Sequence, residues 1–385
     1  MFLTSPFIDQ AIAQACAFYS PENPGWSRFS RRHILPILPS IRLTLSLGSN
    51  TLRAASLLWR SMPMVKSGFV CFVFMVFVLG TLAAQDQRGA DKNHQVVLKY
   101  LGTAGWEITD RTTSILIDPY LSRIKGPAPP GGGSGHSLAG DTRRAYGWGD
   151  VASPDVAAID SHIQRADCVL VTHTHYDHIL DVPHIALKTG AVVIGTESTE
   201  NVMRAYGVPE EQLTTVRGGE DYEFGSFSLK VIPSIHSPLD HKHYFSSAIA
   251  PAGMKAPLTL EQIHPEGGTL AYLIRFHGHQ ILAFGGMNYI EREIVGLEPD
   301  VALIGAGASR KEIYDYSGRL MRDLRYPALV LPTHWDNFLA PYGASQQPAL
   351  DALQSFLQEI AAASPKTKVI VPKYFEAIPL ETPAK

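Results

Sequence analysis

The chain is poor in cysteine, and this scarcity excludes a fold that depends on disulfides. Its 385 residues include 3 cysteines, at positions 16, 71 and 168. Small secreted domains held together by disulfides carry many closely spaced cysteines instead. Cys168 stands in an apolar run with no partner cysteine nearby, so we expect it to be a small buried core residue.

The chain also lacks an excess of basic side chains. Its formal net charge is −3, from 33 basic and 36 acidic side chains. Residues 1–84 carry seven basic and two acidic side chains, a net charge of +5, so residues 85–385 carry a net charge of −8. Proteins that bind nucleic acid usually present a basic face. We therefore expect no nucleic-acid partner.

Long apolar runs are scarce as well, and the most prominent one lies near the start. It extends from Phe69 to Leu79, after a lysine at position 66 and before small residues. A membrane span needs roughly 20 apolar residues, so this run is short for one. The pattern predicts a signal peptide over residues 64–84 and a secreted or periplasmic protein. An uncleaved anchor, with residues 69–84 holding the protein at a membrane, is the alternative.

Residues 1–63 show no domain pattern, although they contain several arginines and serines. Because a signal peptide belongs at an N-terminus, we expect translation to begin at Met62 or Met64. Residues 1–63 would then be an annotation artefact or a disordered extension. An arginine-rich transit peptide is the competing interpretation, but the apolar run at 69–79 is out of place in one.

Residues 85–385 alternate between strand-length apolar runs and helical patterns, which indicates one layered α/β domain. Predicted strands lie at 95–101, 105–109, 113–118, 168–172, 191–195, 213–217, 226–232, 269–276, 279–284, 300–304, 327–332 and 368–372. Predicted helices lie at about 154–165, 178–188, 197–206, 310–324 and 348–363. Within residues 123–150, a stretch rich in glycine and proline cannot hold regular structure. We expect it to be either a mobile lid over a site or a tolerated surface insertion.

The densest group of potential metal ligands follows the predicted strand at 168–172. Residues 171–178 read VTHTHYDH. Histidine nitrogen and carboxylate oxygen are ligands that zinc and similar divalent ions prefer. In an extended segment alternate side chains point the same way, so His173 and His175 can hold one ion together. Asp177 and His178 follow where the strand must end, and they can turn toward a second ion.

Further motifs follow this pattern in a fixed order. Residues 231–237 read VIPSIHS and residues 329–336 read LVLPTHWD, each a strand-like run that ends at a histidine. Near the start of the domain, residues 98–106 read LKYLGTAGW and residues 115–119 read ILIDP. Together, over about residues 95–375, these motifs resemble the metallo-β-lactamase superfamily. They are most similar to its branch of ascorbate-phosphate lactonase-like and N-acylphosphatidylethanolamine phospholipase-like proteins.

The resemblance implies a four-layer αββα sandwich, an α/β fold in which two sheets pack face to face beneath outer helices. It implies a metal site along one edge of the sandwich. The implied ligands of the first ion are His173, His175 and His236, and those of a second ion are Asp177, His178 and His334. The expected cofactor is zinc, as one or two ions.

One position departs from the family pattern. The family usually has an aspartate that bridges two metals after a strand, but here residues 281–288 read ILAFGGMN. Gly286 stands at the aspartate position without a side chain, and Met287 is a poor ligand for a zinc ion that activates water. Asn288 or Glu291 would replace the aspartate only if the turn bends inward. Two arrangements remain open: one ion, or two ions without the usual bridge.

Other polar residues have both a functional and an ordinary structural interpretation. Asp118 would either orient a ligand histidine or form a turn. The group Asp240, His241, His243 and Tyr244 would line a substrate pocket, but we prefer an exposed polar loop. The remaining candidates are His277 and His279 as solvated residues at a hairpin tip, His184 as a structural residue, Trp335 and Asp336 as a pocket floor, and Ser234 and Ser237 as serines without a nucleophile motif.

The expected function is hydrolysis of an ester, lactone or phosphodiester by a zinc-activated water, on a small-molecule or lipid-derived substrate. With one ion bound, Asp177 is the natural catalytic base that orients the water. A non-catalytic binding protein with a degenerate metal site is the alternative, and Gly286 is its main support. A redox protein with two irons is a third. The sequence does not indicate an oligomeric state.

Overall fold

The computed structural model describes residues 95–127, 136–238, 242 and 248–381. These residues belong to the compact unit Thr81–Lys385. The predictions for residues 1–63 and 64–84, and those for Asp240, His241, His243 and Tyr244, lie outside the described residues. Within the described part, no helix combines the length and apolar character needed to cross a bilayer.

The first sheet is mixed and contains seven strands. They are β1 (Val97–Gly102), β2 (Gly105–Thr109), β3 (Ser114–Ile117), β4 (Cys168–Leu170), β5 (Val192–Gly195), β6 (Leu213–Thr215) and β14 (Ala377–Pro379). Their order is β14-β1-β2-β3-β4-β5-β6. The strands from β14 to β3 pair antiparallel, whereas those from β3 to β6 pair parallel.

The second sheet repeats this plan. Its strands are β7 (Asp221–Glu223), β8 (Phe227–Ser234), β9 (Thr269–Phe276), β10 (His279–Phe284), β11 (Val301–Gly305), β12 (Leu329–Thr333) and β13 (Lys368–Val369). Their order is β13-β12-β11-β10-β9-β8-β7, antiparallel from β7 to β10 and parallel from β10 to β13. The hairpin predicted around Gly278 joins β9 to β10 and is confirmed.

Helices cover the outer faces of both sheets. The described α-helices are α1 (Val156–His162), α2 (Tyr176–Ile179), α3 (Val182–Thr189), α4 (Glu197–Ala205), α5 (Glu291–Ile294), α6 (Tyr316–Asp323) and α7 (Gln347–Ala363). Short 3-10 turns occupy Glu210–Gln212 and Ala308–Glu312. The last helix begins with a proline in its first turn, as predicted, because proline is tolerated there.

Alternation along the strands divides the apolar side chains between two cores. Ile115, Ile117 and Leu170 of the first sheet pack against the second sheet, whereas Leu116 and Val169 pack against helices α1, α3 and α4. Side chains of α6 and α7 pack on the second sheet. The predicted four-layer αββα sandwich is therefore confirmed, with the largest core between the sheets. Cys168 is buried in β4, as predicted, and it is a free cysteine.

Two predicted helices are interrupted. The helix predicted at 178–188 is instead α2 and α3, with a break at Asp181. The helix predicted at 310–324 is a 3-10 turn followed by α6, and Asp315 between them has a φ of 42°. Such a left-handed backbone cannot continue a right-handed helix. The edge strands β7 and β14 were not predicted, because each has only three residues and largely exposed side chains.

Candidate metal centre

The predicted ligands converge because each follows a strand end at one edge of the sandwich. His173 and His175 follow β4, His236 follows β8, and His334 follows β12 directly. Parallel strands end at the same edge of a sheet, which brings the loops after them together. β4 ends at Leu170, two residues before the predicted end of the strand, so the two histidines lie in the loop that follows it, and His175 has an extended backbone. Asp177 and His178 lie in the short helix α2.

The first group contains His173, His175 and His236. One nitrogen of each lies within 4.8 Å of the others, and the ring centroids are 4.6 to 4.8 Å apart. The Nδ1 atom of His236 lies 2.9 Å from the carbonyl oxygen of Ser237. If Nδ1 donates its hydrogen there, Nε2 keeps a free lone pair. The Nε2 atom of His173 is buried and has no hydrogen-bond partner among the described residues.

Burial keeps these three imidazoles neutral at neutral pH. It lowers the pKa of His173 and His175 well below the usual value, and the neighbouring histidines lower it further. Burial also lowers the pKa of His236 to about 4. A neutral imidazole is the form that binds a metal ion. The protein thus places lone pairs, rather than positive charges, at this point.

The second group contains Asp177, His178 and His334, again with one donor atom of each within 4.8 Å of the others. The Oδ2 atom of Asp177 lies 3.3 Å from Nε2 of His334 and 3.5 Å from Nε2 of His178. Burial alone would raise the pKa of Asp177, but His178 and His334 outweigh it and hold that pKa well below its usual range. Asp177 therefore carries a negative charge inside a cluster of histidines.

Asp118 fixes the orientation of His178. Its Oδ2 atom lies 2.8 Å from Nδ1 of His178, and the carboxylate also accepts hydrogen bonds from the backbone N–H and hydroxyl of Thr172. Burial opposes the charged form of His178, but the carboxylates of Asp177 and Asp118 raise its pKa. A carboxylate behind a ligand histidine sets the tautomer and directs the other ring nitrogen. Asp118 thus orients His178, which agrees with the first of its two predicted roles, orienting a ligand histidine rather than only forming a turn.

A buried ion pair supports the loop that carries His334. Asp336 lies 2.8 Å from Nη1 of Arg123 and accepts hydrogen bonds from Tyr100, Tyr374 and the backbone N–H of Thr103. The carbonyl oxygen of Thr103 in turn accepts a hydrogen bond from the backbone N–H of His334. Asp336 is therefore a buried support, and its prediction as part of a pocket floor was wrong. A φ of 52° at His334 shows that the loop is held in an uncommon conformation.

No side chain replaces the missing bridging aspartate in the described residues. A Cβ atom added to Gly286 would lie 2.7 Å from the hydroxyl of Ser237, which instead accepts a hydrogen bond from the backbone N–H of Met287. Asn288 donates to the carbonyl oxygen of His236, and Glu291 pairs with Arg319. The side chains of Asn288 and Glu291 are thus engaged by groups other than the six donors.

His264 lies in the site, although the sequence did not point to it. Its ring stacks on that of His175, with centroids 3.9 Å apart and planes inclined by 15°. The ring of Trp148 lies near both His264 and Tyr176, with centroid distances of 4.5 Å and 6.3 Å. His264 stands in an irregular segment before β9 and belongs to none of the histidine motifs at 171–178, 231–237 and 329–336, so no sequence pattern singled it out. Trp148 shows that part of the 123–150 segment reaches the surroundings of the site.

The remaining candidates lie elsewhere. His184 pairs with Asp160 at the surface of α3, as a structural residue should. His277 is exposed and pairs with Asp110, but His279 is buried and pairs with Asp300. The prediction of a solvated His279 was therefore wrong, since its side chain turns under the hairpin. Ser234 and Ser237 bond to nearby groups of the 287–288 turn and form no nucleophile site.

The donor set fits a divalent metal. Five imidazoles and one carboxylate face each other in two adjacent groups, and the buried nitrogen of His173 has no other partner among the described residues. Unsatisfied buried nitrogens are costly unless an ion or another group binds them. Imidazole and carboxylate suit zinc, iron and manganese, so the donors do not distinguish among these metals.

Comparisons with known proteins agree with this geometry. Residues 113–335 match the family model described as the beta-lactamase superfamily domain. A UPF0173 metal-dependent hydrolase of Myxococcus xanthus is 25% identical over 298 residues, which cover 76% of this chain and 87% of the relative. A UPF0173 metal-dependent hydrolase of Staphylococcus aureus strain JH9 is 27% identical over 177 residues, 45% of this chain and 70% of the relative.

Among solved structures, Igni18, a metallo hydrolase from the archaeon Ignicoccus hospitalis, is similar to this chain with 19% identity and a TM-score of 0.47. The similarity covers 74% of this chain and 99% of Igni18. The family match at residues 113–335 spans more than half of the chain and includes the sequence motifs from His173 to His334. The protein therefore belongs to the metallo-β-lactamase superfamily.

Proposed function

We propose that the protein is a metal-dependent hydrolase whose reaction takes place at the edge where β4, β8 and β12 end. The observation that carries this proposal is the pairing of two buried donor groups, each with its donor atoms within 4.8 Å of one another. The family and the metal-dependent hydrolases among its relatives support the same activity.

Some of these residues would bind an ion, and Asp177 would also accept a hydrogen bond from water. His173, His175 and His236 would hold a divalent ion, which we propose to be zinc. A divalent ion supplies two effects when bound: it lowers the pKa of a water molecule and polarises a scissile carbonyl or phosphoryl group. Asp177, His178 and His334 would hold a second ion if one binds. With one ion, Asp177 remains ionised and accepts a hydrogen bond from the attacking water.

The two donor groups differ in their ligands and in the side chains that hold those ligands in place. The first group has three histidines on two loops, and no bridging carboxylate links it to the second group in the described residues. The second group has a carboxylate of its own and the firm backing of Asp118 on His178. We infer that the second site binds its ion through Asp177 without the customary bridge, or that it stays a hydrogen-bonding group beside a single ion.

The substrate and the cellular location are finer proposals. We propose an ester, lactone or phosphodiester, because each has an electrophilic centre that a metal-activated water attacks. A small-molecule or lipid-derived compound suits the acidic charge of residues 85–385 better than a nucleic acid does. A secreted or periplasmic protein, with residues 64–84 as a signal peptide or residues 69–84 as a membrane anchor, remains our proposal from the sequence.

A non-catalytic binding protein is the alternative, and the replacement of the bridging aspartate by Gly286 favours it. The two hypotheses differ in turnover, since a binding protein would retain metal without hydrolysing anything. Retention of six ligand-type side chains in two compact groups favours the enzyme, because a degenerate site would lose them first.

The test is a panel of model substrates: aryl esters, lactones and phosphodiesters. Turnover should vanish after metal removal by a chelator, return on addition of zinc, and vanish in His175→Ala. His184→Ala is the matched control, because His184 is a histidine of the next helix that pairs with Asp160 outside the site. Turnover that survives metal removal, or that His184→Ala lowers as much as His175→Ala does, would refute the proposal.

A further inference from the structure

The buried side chain of Thr172 lies next to both donor groups and belongs to neither of them. Thr172 directly precedes the ligand His173, and its hydroxyl contacts Asp118, the residue that follows β3. The rings of His173 and His178, one from each donor group, have centroids 4.0 Å apart. A single residue in this position can therefore act on ligands of both groups.

The hydrogen bonds around Thr172 form one continuous chain. Its Oγ1 atom donates to Oδ2 of Asp118 at 2.5 Å and lies 3.1 Å from Nδ1 of His173. Because the one hydroxyl hydrogen goes to the carboxylate, Oγ1 can only accept from His173, and Nδ1 must carry a hydrogen. The same Oδ2 atom lies 2.8 Å from Nδ1 of His178, which donates to it. One carboxylate oxygen thus ends a hydrogen-bond chain from each donor group.

This chain leaves the outer nitrogen of each ring for a metal ion. A hydrogen bond at one nitrogen of an imidazole determines which nitrogen keeps the lone pair that binds metal. With Nδ1 of His173 as a donor, Nε2 keeps the lone pair, and this atom has no hydrogen-bond partner among the described residues. Nε2 of His178 lies 3.5 Å from Oδ2 of Asp177, within the second group. Both tautomers therefore suit ligands that bind through Nε2.

The surroundings hold Thr172 in place. Its backbone N–H donates to Oδ1 of Asp118 at 2.7 Å, and its carbonyl oxygen accepts from the backbone N–H of Leu270 at 2.8 Å. A Cβ atom added to Gly285 would lie 1.9 Å from Oγ1 of Thr172, so only the absence of a side chain at Gly285 permits this close approach. A side chain branched at Cβ also has few rotamers. The hydroxyl is thus confined between Asp118 and His173.

We propose that Thr172 is a positioning residue for the first ion, because its hydroxyl extends the hold of Asp118 to His173. One buried carboxylate then orients a ligand in each donor group. The two groups lack a bridging carboxylate at Gly286, and this chain of hydrogen bonds connects them from behind the ligands. The inference rests on the metal binding proposed above, but it requires no hydrolysis, and its first test needs no metal.

The tautomer of His173 is measured on the metal-free full chain. Proton–nitrogen NMR of the ¹⁵N-histidine-labelled protein distinguishes an Nδ1–H from an Nε2–H imidazole, and His173→Gln identifies its signals among those of the 15 histidines. We expect the Nδ1–H form in the unmodified protein and in Thr172→Ser, which keeps the hydroxyl. Thr172→Val has a similar shape without the hydroxyl and should lose this form. An Nε2–H imidazole at His173 in the unmodified protein would overturn the proposal.

Zinc affinity, measured by competition with a chelator, tests the consequence for the first ion. It should weaken about tenfold in Thr172→Val and stay within about threefold of the unmodified protein in Thr172→Ser, as expected for a residue behind a ligand histidine. Thr113→Val is the matched control. Thr113 is 8% exposed at the other end of β3 from Asp118, and its hydroxyl donates to Ser226. This variant should bind zinc as the unmodified protein does.

The outcomes separate the positioning role from the proposed function. Zinc binding that is equal in Thr172→Val and Thr113→Val would refute the role of Thr172 alone. An unmodified protein that binds no zinc would refute the metal centre, and the positioning role with it. Circular dichroism without metal shows whether each variant is folded. If Thr172→Val does not fold, the tautomer of His173 in the unmodified protein and in Thr172→Ser still decides.

Discussion

Replacing Asp336 with asparagine removes one charge from a buried ion pair that supports the His334 loop. Both carboxylate oxygens are in use: one accepts hydrogen bonds from Tyr100 and the backbone N–H of Thr103, and the other accepts one from Tyr374 and forms the ion pair with Arg123. Burial alone would raise the pKa of Asp336, but Arg123 and these hydrogen bonds lower it, so the group is charged at neutral pH. The NH₂ group of asparagine would face groups that already donate hydrogen bonds at this position. The positive charge of Arg123 would also lose its negative partner.

The expected cost follows from this burial. The side chains of Arg123 and Asp336 are 2% and 0% exposed, and breaking such a pair costs about 3 to 5 kcal/mol. For a domain of this size, 1 kcal/mol corresponds to about 2 °C or slightly more, so the Tm should fall by about 6 to 10 °C. Retained metal should also decrease, since Asp336 holds Thr103 and Thr103 accepts the hydrogen bond from the backbone of His334.

Asp221→Asn is the matched control. Asp221 pairs with Arg275 at the same 2.8 Å, but the two side chains are 49% and 36% exposed. An exposed pair contributes about 0 to 1 kcal/mol, so this variant should melt within about 2 °C of the unmodified protein and keep its metal. Differential scanning fluorimetry and elemental mass spectrometry measure the two effects. Equal Tm values for the two variants would refute the argument that the buried pair supports the site.

Three further changes have defined outcomes. Asp118→Asn should weaken metal retention about 10-fold or more in a chelator competition, because His178 loses its orienting carboxylate; unchanged retention would contradict this role. His264→Ala removes the ring stacked on His175 and should weaken zinc retention about tenfold with little change in Tm, whereas His264→Phe should restore part of it. Burial raises the pKa of Glu200 to about 8, so protonation stabilises the folded state and this stability is lost as pH rises from 4.5 to 8. Glu200→Gln should therefore be less sensitive to pH over that window, by at most about 5 kcal/mol in denaturant unfolding, and an identical pH profile would exclude the effect.

The sequence predicted the layered fold because its strands are marked by local apolar runs. Alternation in runs such as 168–172 places Cys168 and Leu170 toward one core and Val169 toward the other, and this pattern needs no tertiary information. Breaks such as the one at Asp315 depend on a left-handed backbone that the neighbouring contacts impose. The short edge strands depend on pairing with distant segments, so nothing local marks them.

The sequence also predicted which residues meet at the edge, because motif and order are local features. It did not predict His264 or the orientation of Asp336. His264 reaches His175 only through the path of the segment before β9. Asp336 forms an ion pair with Arg123, a residue more than two hundred positions earlier in the chain. No sequence pattern in either segment indicates that the two residues meet.

The number of metal ions bound per chain is the decisive measurement for the two donor groups. The full chain is purified without chelators from a culture supplemented with zinc, iron and manganese, and elemental mass spectrometry counts ions per chain, beside His175→Ala and His184→Ala. We predict one or two tightly held ions per chain, with loss of at least one in His175→Ala and none in His184→Ala. One ion would support a single site with Asp177 beside it, and two would show that binding proceeds without a bridging carboxylate at Gly286. A chain that retains no divalent metal, or one in which both variants lose it equally, would contradict the assignment of the metal centre.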